Sequence, residues 1–187
     1  MSYLPSSPHA TLLDVFKRYP DLARPLHDFA QALMRGPSPL APGERELIAA
    51  YVSALNECGF CRASHAAAAG HFGVPAGRVE ELLAGIDGAG VEARLKPLLH
   101  YVRKLNERPA AVTPEDLRAV FDAGWDEDAL VHAAVICGFF NLMNRWVEGL
   151  GIESDPGVVR MAGRMLHDVG YGAISTLLAG EGKPERG

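Results

Sequence analysis

The chain predicts an all-α protein. Ala and Leu, two strong helix formers, dominate its apolar positions, and β-branched runs are scarce. Apolar residues recur along the 187-residue chain at the spacing of amphipathic helices. No segment alternates apolar and polar residues convincingly, as a half-buried strand would.

Ser7-Pro8 can open a first helix, with Ser as cap and Pro at the first helical position. Leu12, Leu13 and Phe16 continue it as a stripe until Tyr19-Pro20 breaks it. A second helix is expected from Asp21 to Met34, with Leu22, Leu26, Phe29, Ala30 and Leu33 inward and Pro25 harmless in its first turn. Gly36-Pro37-Ser38-Pro39 is a turn. The next helix starts near Pro42 and carries Glu44 to Glu57, with Leu47, Ile48, Tyr51, Val52 and Leu55 on its apolar side. An Ala-rich helix follows from Cys61 to His71 and ends at Gly73, and Pro75 opens a short helix to Leu83.

Gly85, Gly88 and Gly90 mark a hinge, dividing one domain (residues 1–180) into halves at about 8–84 and 91–179. A long helix is expected from Val91 to Asn106. Thr113-Pro114-Glu115-Asp116 is a strong helix start, and Gly124 ends that helix. Asp126–Phe139, Asn141–Leu150 and Asp155 to about Ala179 read as three more, and residues 181–187 as a frayed tail. Glu44-Arg45-Glu46-Leu47-Ile48 and Glu127-Asp128-Ala129-Leu130-Val131 open similar stretches, which suggests two degenerate helical hairpins.

A net charge of −5 disfavours a nucleic-acid partner, which needs a basic surface. Met1 to Lys17 shows no basic region followed by an apolar stretch. The longest apolar-rich run, Leu130 to Phe140, is interrupted by His132 and falls short of the ~20 residues of a membrane span. A cytoplasmic protein with no membrane partner is expected. Three cysteines without a signal segment argue against a secreted disulfide framework. A C-x-x-C pair in such a protein points to redox chemistry or metal binding.

That pair lies in Cys58-Gly59-Phe60-Cys61-Arg62-Ala63-Ser64-His65. On a helix, Cys61 falls about 60° and His65 about 20° from Cys58, so all three would share one face. The attacking species is the thiolate, and a free Cys, with a pKa of ~8.5, is mostly protonated at neutral pH. A helix N-terminus and a neighbouring His both favour the thiolate. A second Cys then resolves a sulfenic acid into a disulfide. Glu46, on the preceding helix, faces His65 if the two helices pack antiparallel, and then orients it as the carboxylate of a relay. Two other readings stand beside this one. The cysteines can be buried small hydrophobes, or Cys58, Cys61, His65 and Glu46 can hold zinc.

Glu46, eleven residues, Cys58-x-x-Cys61, three residues and His65 together resemble the signature of AhpD-like alkylhydroperoxidases, within the carboxymuconolactone decarboxylase superfamily. Leu55-Asn56-Glu57-Cys58-Gly59-Phe60-Cys61, Phe139-Phe140-Asn141-Leu142-Met143-Asn144-Arg145 and Gly149-Leu150-Gly151 resemble its peroxidase-related branch, over about residues 10–170. The resemblance implies an AhpD-like helical bundle, oligomeric as a dimer, trimer or hexamer. It implies Cys61 as the peroxide-reactive sulfur, Cys58 as its disulfide partner, and His65 and Glu46 as the proton relay. The implied partners are a small-molecule hydroperoxide and a thiol or disulfide reductant protein, with no cofactor and no metal. The family's enzymes carry a His just before the second motif Cys, where this chain has Phe60. Alternatives are a non-catalytic thiol redox sensor and a lactone decarboxylase-like lyase, although the lyases generally lack the full Cys pair.

Cys137 reads as a core residue, His132 as a core or interface histidine and His71 as a surface or helix-end residue. Asn141 and Asn144 share a helix face, either as buried hydrogen-bonding groups or as lining of the pocket at the cysteines. Trp125 and Trp146 read as packing anchors.

Overall fold

The computed structural model describes residues 2–153 and 156–180. Every regular element among them is helical: α1 (Leu12–Arg18), α2 (Pro20–Arg35), α3 (Pro42–Leu55), α4 (Gly59–His71), α5 (Arg78–Ala84), α6 (Leu95–Glu107), α7 (Pro114–Asp122), α8 (Glu127–Gly149), α9 (Pro156–Asp168) and α10 (Gly172–Gly180), with short 3₁₀ turns at Ile86–Gly88 and Pro109–Ala111. The expected all-α class is the observed one. The tail at 181–187 lies outside the described residues.

α3 is the central helix. Ile48, Tyr51 and Val52 are fully buried, and the helix packs on α4, α5, α6 and α8. Two devices fix its entry. The Glu44 carboxylate accepts the Ala41 N–H at 2.7 Å, which satisfies a donor just ahead of the helix. Buried Arg45 donates from Nη1 to the carbonyls of Leu33 (3.0 Å) and Gly36 (2.9 Å). Those carbonyls belong to the end of α2, where helical partners run out.

α4 presents small side chains, and α9 lies close against it. A Cβ at Gly163 would stand 2.6 Å from the Ala67 methyl and 3.2 Å from backbone atoms. Glycine is therefore what lets these two helices approach.

The structure moves several expected boundaries. α1 begins at Leu12 under a Thr11–Asp14 capping box, rather than at Ser7-Pro8. Pro20 opens α2, so Pro25 lies inside the helix. α6 starts at Leu95 instead of Val91. The two helices expected over 126–150 are one 23-residue helix. Gly138 sits within it without a break, because a lone glycine costs only ~1 kcal/mol against alanine and no proline interrupts the hydrogen bonds. That continuity removes the second of the two echoed hairpins.

Conversely, the single helix expected from Asp155 to Ala179 is two. Gly170, at φ 71°, turns the chain between α9 and α10. The Gln31 side-chain oxygen accepts the N–H groups of Tyr171 (2.8 Å) and Gly172 (3.0 Å). By length and composition α8 would reach across a bilayer, which the short Leu130–Phe140 run did not suggest. Here it packs on α2, α3, α4, α6 and α7.

Candidate active site

The α3–α4 turn sets the cysteines. Asn56 ends α3, Glu57 takes a left-handed φ of 58°, and the Cys58 N–H donates to the Ser53 carbonyl at 2.9 Å. Cys58 is extended and stands as the N-cap of α4. The helical-wheel placement therefore applies to Cys61 and His65 but not to Cys58. Cys61 lies in the first turn of α4, where unpaired N–H groups and the helix dipole favour an anion. Cys58 is 0% exposed and Cys61 4%, and both are free thiols.

His65 follows Cys61 by one turn. Its Nδ1 lies 2.7 Å from Glu46 Oε2, and its ring packs edge-on against Phe140 with centroids 4.4 Å apart. With the Nδ1 proton on Glu46, Nε2 is left as the proton acceptor. Glu46 is 0% exposed, a costly place for a carboxylate unless it is fully partnered. The partners are present. Arg35 Nη2 donates to Oε1 at 2.6 Å, and the Tyr171 hydroxyl donates to the same oxygen at 3.0 Å.

Burial pushes the Glu46 carboxyl up, but the hydrogen bond and charge of His65 and the charge of Arg35 outweigh it and hold the group below its ordinary 4.5. Burial, and then Glu46, hold Tyr171 well above 10.0, so it remains a neutral donor. Arg35 is itself anchored on the carbonyls of Leu166 and Met34, both at 2.8 Å, and lies over the rings of Phe72 and Tyr171.

The two thiols are tuned apart. The Cys58 thiol donates to Cys61 and is the largest influence lowering Cys61 from 9.0. Burial opposes this, and His65 and Asn144 add to the lowering. The same hydrogen bond, followed by burial, raises Cys58 strongly. Glu148, from the last turn of α8, also bears on Cys58.

A chain of asparagines braces the other side. Asn56 Nδ2 donates to Asn144 Oδ1 at 3.0 Å, and Asn144 Nδ2 donates to Ser53 Oγ at 3.0 Å. That fixes the Asn144 amide with its N–H groups towards Ser53 and Cys61. Asn106 Nδ2 donates to Asn56 Oδ1 at 3.0 Å, and Asn141 Nδ2 to Asn106 Oδ1 at 2.6 Å. Asn141 therefore stands beside Cys137, whereas Asn144 adds to the lowering of the Cys61 thiol.

The structure thus gathers Glu46, Cys58, Cys61 and His65 into one site. Cys137 is buried in the core and its thiol is raised to about 11, chiefly by burial. His71 is exposed at the end of α4, and His132 is half-buried on α8. Trp125 donates to the Arg94 carbonyl at 2.7 Å, and Trp146 packs edge-on against Phe16. Both are packing anchors. Among the described residues, no group of three His, Cys, Asp or Glu side chains is arranged to hold a metal ion.

Sequence reasoning missed Arg35, Tyr171, Ser53 and Glu148. Arg35 looks like an ordinary basic residue at a helix end, and Tyr171 fell within a helix that was expected to be continuous. Only the Gly170 break gave a signal for it.

Residues 20–101, from the start of α2 into α6, match the carboxymuconolactone decarboxylase family. No curated protein matches the chain. Two solved structures resemble it. One, from Ralstonia eutropha, is described as an alkylhydroperoxidase AhpD core and an uncharacterized peroxidase-related protein. It is 25% identical, with a TM-score of 0.73 over 80% of this chain and 78% of that one. The other is an uncharacterized peroxidase-related protein from a Silicibacter species, 25% identical, with a TM-score of 0.72 over 78% of this chain and 76% of its own.

Proposed function

We propose that this chain, an AhpD-like member of the peroxidase-related branch of the carboxymuconolactone decarboxylase superfamily, reduces organic hydroperoxides through Cys61. One observation carries the reading: Cys61 sits in the first turn of α4 with a neighbouring thiol donating to it and a buried, carboxylate-bound His one turn away.

His65 takes the Cys61 proton at Nε2 while Glu46 holds Nδ1. The thiolate attacks the terminal peroxide oxygen and the O–O bond breaks. The alkoxide leaves as the alcohol with the proton from His65, and Cys61 becomes a sulfenic acid. Cys58 then attacks the Cys61 sulfur, the S–O bond breaks, and water leaves as the disulfide forms. A dithiol reductant returns two electrons by exchange. Arg35 and Tyr171 keep Glu46 charged and fixed, so the relay stays in register.

The surroundings of the sulfurs favour an organic substrate. Cys58 and Cys61 pack with Val15, Val147 and Ile152, and Phe60 and Leu150 lie against that cluster. Phe60, at the position of the family's extra relay His, adds apolar surface and no proton acceptor.

The test is thiol counting on reduced protein titrated with cumene hydroperoxide. Wild type should lose two thiols promptly. Cys61→Ser should block the loss, and His65→Ala should slow it about a hundredfold, the lower range of acid–base catalysis. Slow, equal oxidation of all three thiols with no effect of His65→Ala sinks the reading. The family's lyase chemistry would then be the next assay, on a variant lacking both motif cysteines.

A further inference from the structure

We propose that the N-terminal strap, residues 2–10, gates the cysteine pair, and that a dithiol reductant reaches Cys58 only when the strap lifts from the end of α8. The reductant's part rests on the peroxidase reading above, whereas the gate is a property of the fold. In thiol exchange a thiolate must approach the sulfur that it attacks, and the more acidic thiol is the better leaving group. Cys61 is lowered and Cys58 raised, so the reductant attacks Cys58. The S–S bond breaks and Cys61 leaves as the thiolate. The second reductant thiol then displaces Cys58, the reductant departs as its disulfide, and its two protons and two electrons pass to the pair. Yet Cys58 is 0% exposed, so part of its cover must move first.

Two kinds of structure make that cover. Trp146 and Val147 come from α8 and Phe60 from α4, both held in the bundle, while Leu4 and Ala10 of the strap pack against the same cluster. The strap can move as one piece, because its hydrogen bonds close on itself. The Ser2 N–H donates to the Pro8 carbonyl at 2.9 Å and the Ser7 N–H to the Leu4 carbonyl at 3.0 Å. The Ser7 carbonyl accepts the Ala10 N–H at 3.0 Å and the Ser2 hydroxyl at 2.6 Å. None of these bonds breaks if the loop swings about Thr11, the extended residue that caps α1.

A small clasp holds the strap down. The Tyr3 N–H donates to the Leu150 carbonyl at 2.8 Å. The Tyr3 ring lies on Gly151, where a Cβ would stand 2.7 Å from it, so glycine lets the ring rest on the chain as it leaves α8. Arg18 Nη1 donates to Ser6 Oγ at 2.6 Å. The clasp is shallow: Tyr3 is 72% exposed, and Leu4 and Ala10 are half-buried. A segment with few buried apolar contacts opens locally far more often than the whole protein unfolds. Cys137 lies in the other core cluster and stays covered when the strap lifts.

The experiment pulses reduced protein with N-ethylmaleimide and reads labelling at each cysteine by mass spectrometry, with hydrogen exchange of the residue-3 amide followed in parallel. A reagent that reaches only the open form labels in proportion to the open fraction. Tyr3→Ala and Leu4→Ala should each raise Cys58 labelling about tenfold and speed the residue-3 amide by a similar factor, with Cys137 unchanged. Reduction of the Cys58–Cys61 disulfide by dithiothreitol should quicken in step.

Unchanged Cys58 labelling or unchanged reduction in both variants overturns the gate. An equal rise at Cys137 also overturns it, since the whole bundle would then have loosened. Labelling needs no peroxide, so the two readings fail separately. A protein that shows the strap effect but keeps its thiols under cumene hydroperoxide would sink the peroxidase reading and leave the gate standing.

Discussion

The entry of α4 and the middle of α8 each bury a cysteine, Cys61 at 4% exposure and Cys137 at 2%. Each sulfur also meets an asparagine amide, Asn144 in one case and Asn141 in the other. Yet the Cys61 thiol is lowered from 9.0 while that of Cys137 is raised to about 11. Depth and amide donors therefore do not set the two thiols apart. What differs is the donating thiol of Cys58, the charge of His65 and the first-turn position of Cys61. Cys137 is in the interior of a helix whose N–H groups are already engaged, and burial is left to dominate.

The largest way to break this contrast is to remove the cation beside the Glu46–His65 pair. Arg35→Met leaves the fully buried Glu46 with two partners in place of three. Breaking a buried pair from one side costs about 3–5 kcal/mol, so a loss of that order at neutral pH is expected in denaturant unfolding. The pH dependence has a definite sign. Glu46 sits below 4.5 in the folded protein, so its contribution is present above that value and fades as pH falls through the folded pKa. In Arg35→Met the carboxyl moves back up, and the stability gap between variant and wild type should narrow below about pH 4.5. A gap that stays constant into acid would mean that Arg35 acts by packing on Phe72 and Tyr171 instead.

A direct measurement of the contrast is alkylation of the reduced protein at pH 8, read by mass spectrometry. With its thiol at about 11, Cys137 is thiolate to roughly one part in a thousand. Cys61, lowered from 9.0, is thiolate to more than about a tenth. Their similar burial leaves the charge environment as the main difference. Cys61 should label at least about a hundredfold faster, and Cys58 should lag behind Cys61. Equal rates for Cys61 and Cys137 would show that access alone controls both sulfurs.

The same two regions show what a sequence displays and what it hides. Local chemistry was legible. The cysteine pair, the His one turn on and the Glu on the preceding helix all lie within residues 46–65, and the α3–α4 hairpin brings them together as helix periodicity suggests. Residues that converge from far along the chain were not legible. Arg35 and Tyr171 reach Glu46 from α2 and from the break before α10, and nothing local marks either as a carboxylate partner. Boundaries erred where glycine has two meanings. Gly138 is an ordinary helical position, whereas Gly170 is a turn, and only packing against Gln31 distinguishes them.

The smallest expected effect sharpens the comparison at the backbone. Glu57 holds a left-handed φ of 58° just before Cys58, which costs an L-residue about 1–2 kcal/mol. Glycine accepts that conformation but gives up about 0.5–1 kcal/mol to greater freedom in the unfolded chain. Glu57→Gly should therefore stabilise the protein by roughly 0.5–1 kcal/mol, seen as a higher denaturant midpoint with an unchanged slope. In the middle of α8 the opposite exchange should work. A Cβ at Gly138 would meet nothing within 4 Å, so Gly138→Ala should add about 0.5–1 kcal/mol of helix propensity. If Glu57→Gly instead destabilises, the exposed Glu57 side chain must contribute more than its backbone costs, and the turn that carries Cys58 would be held by that side chain.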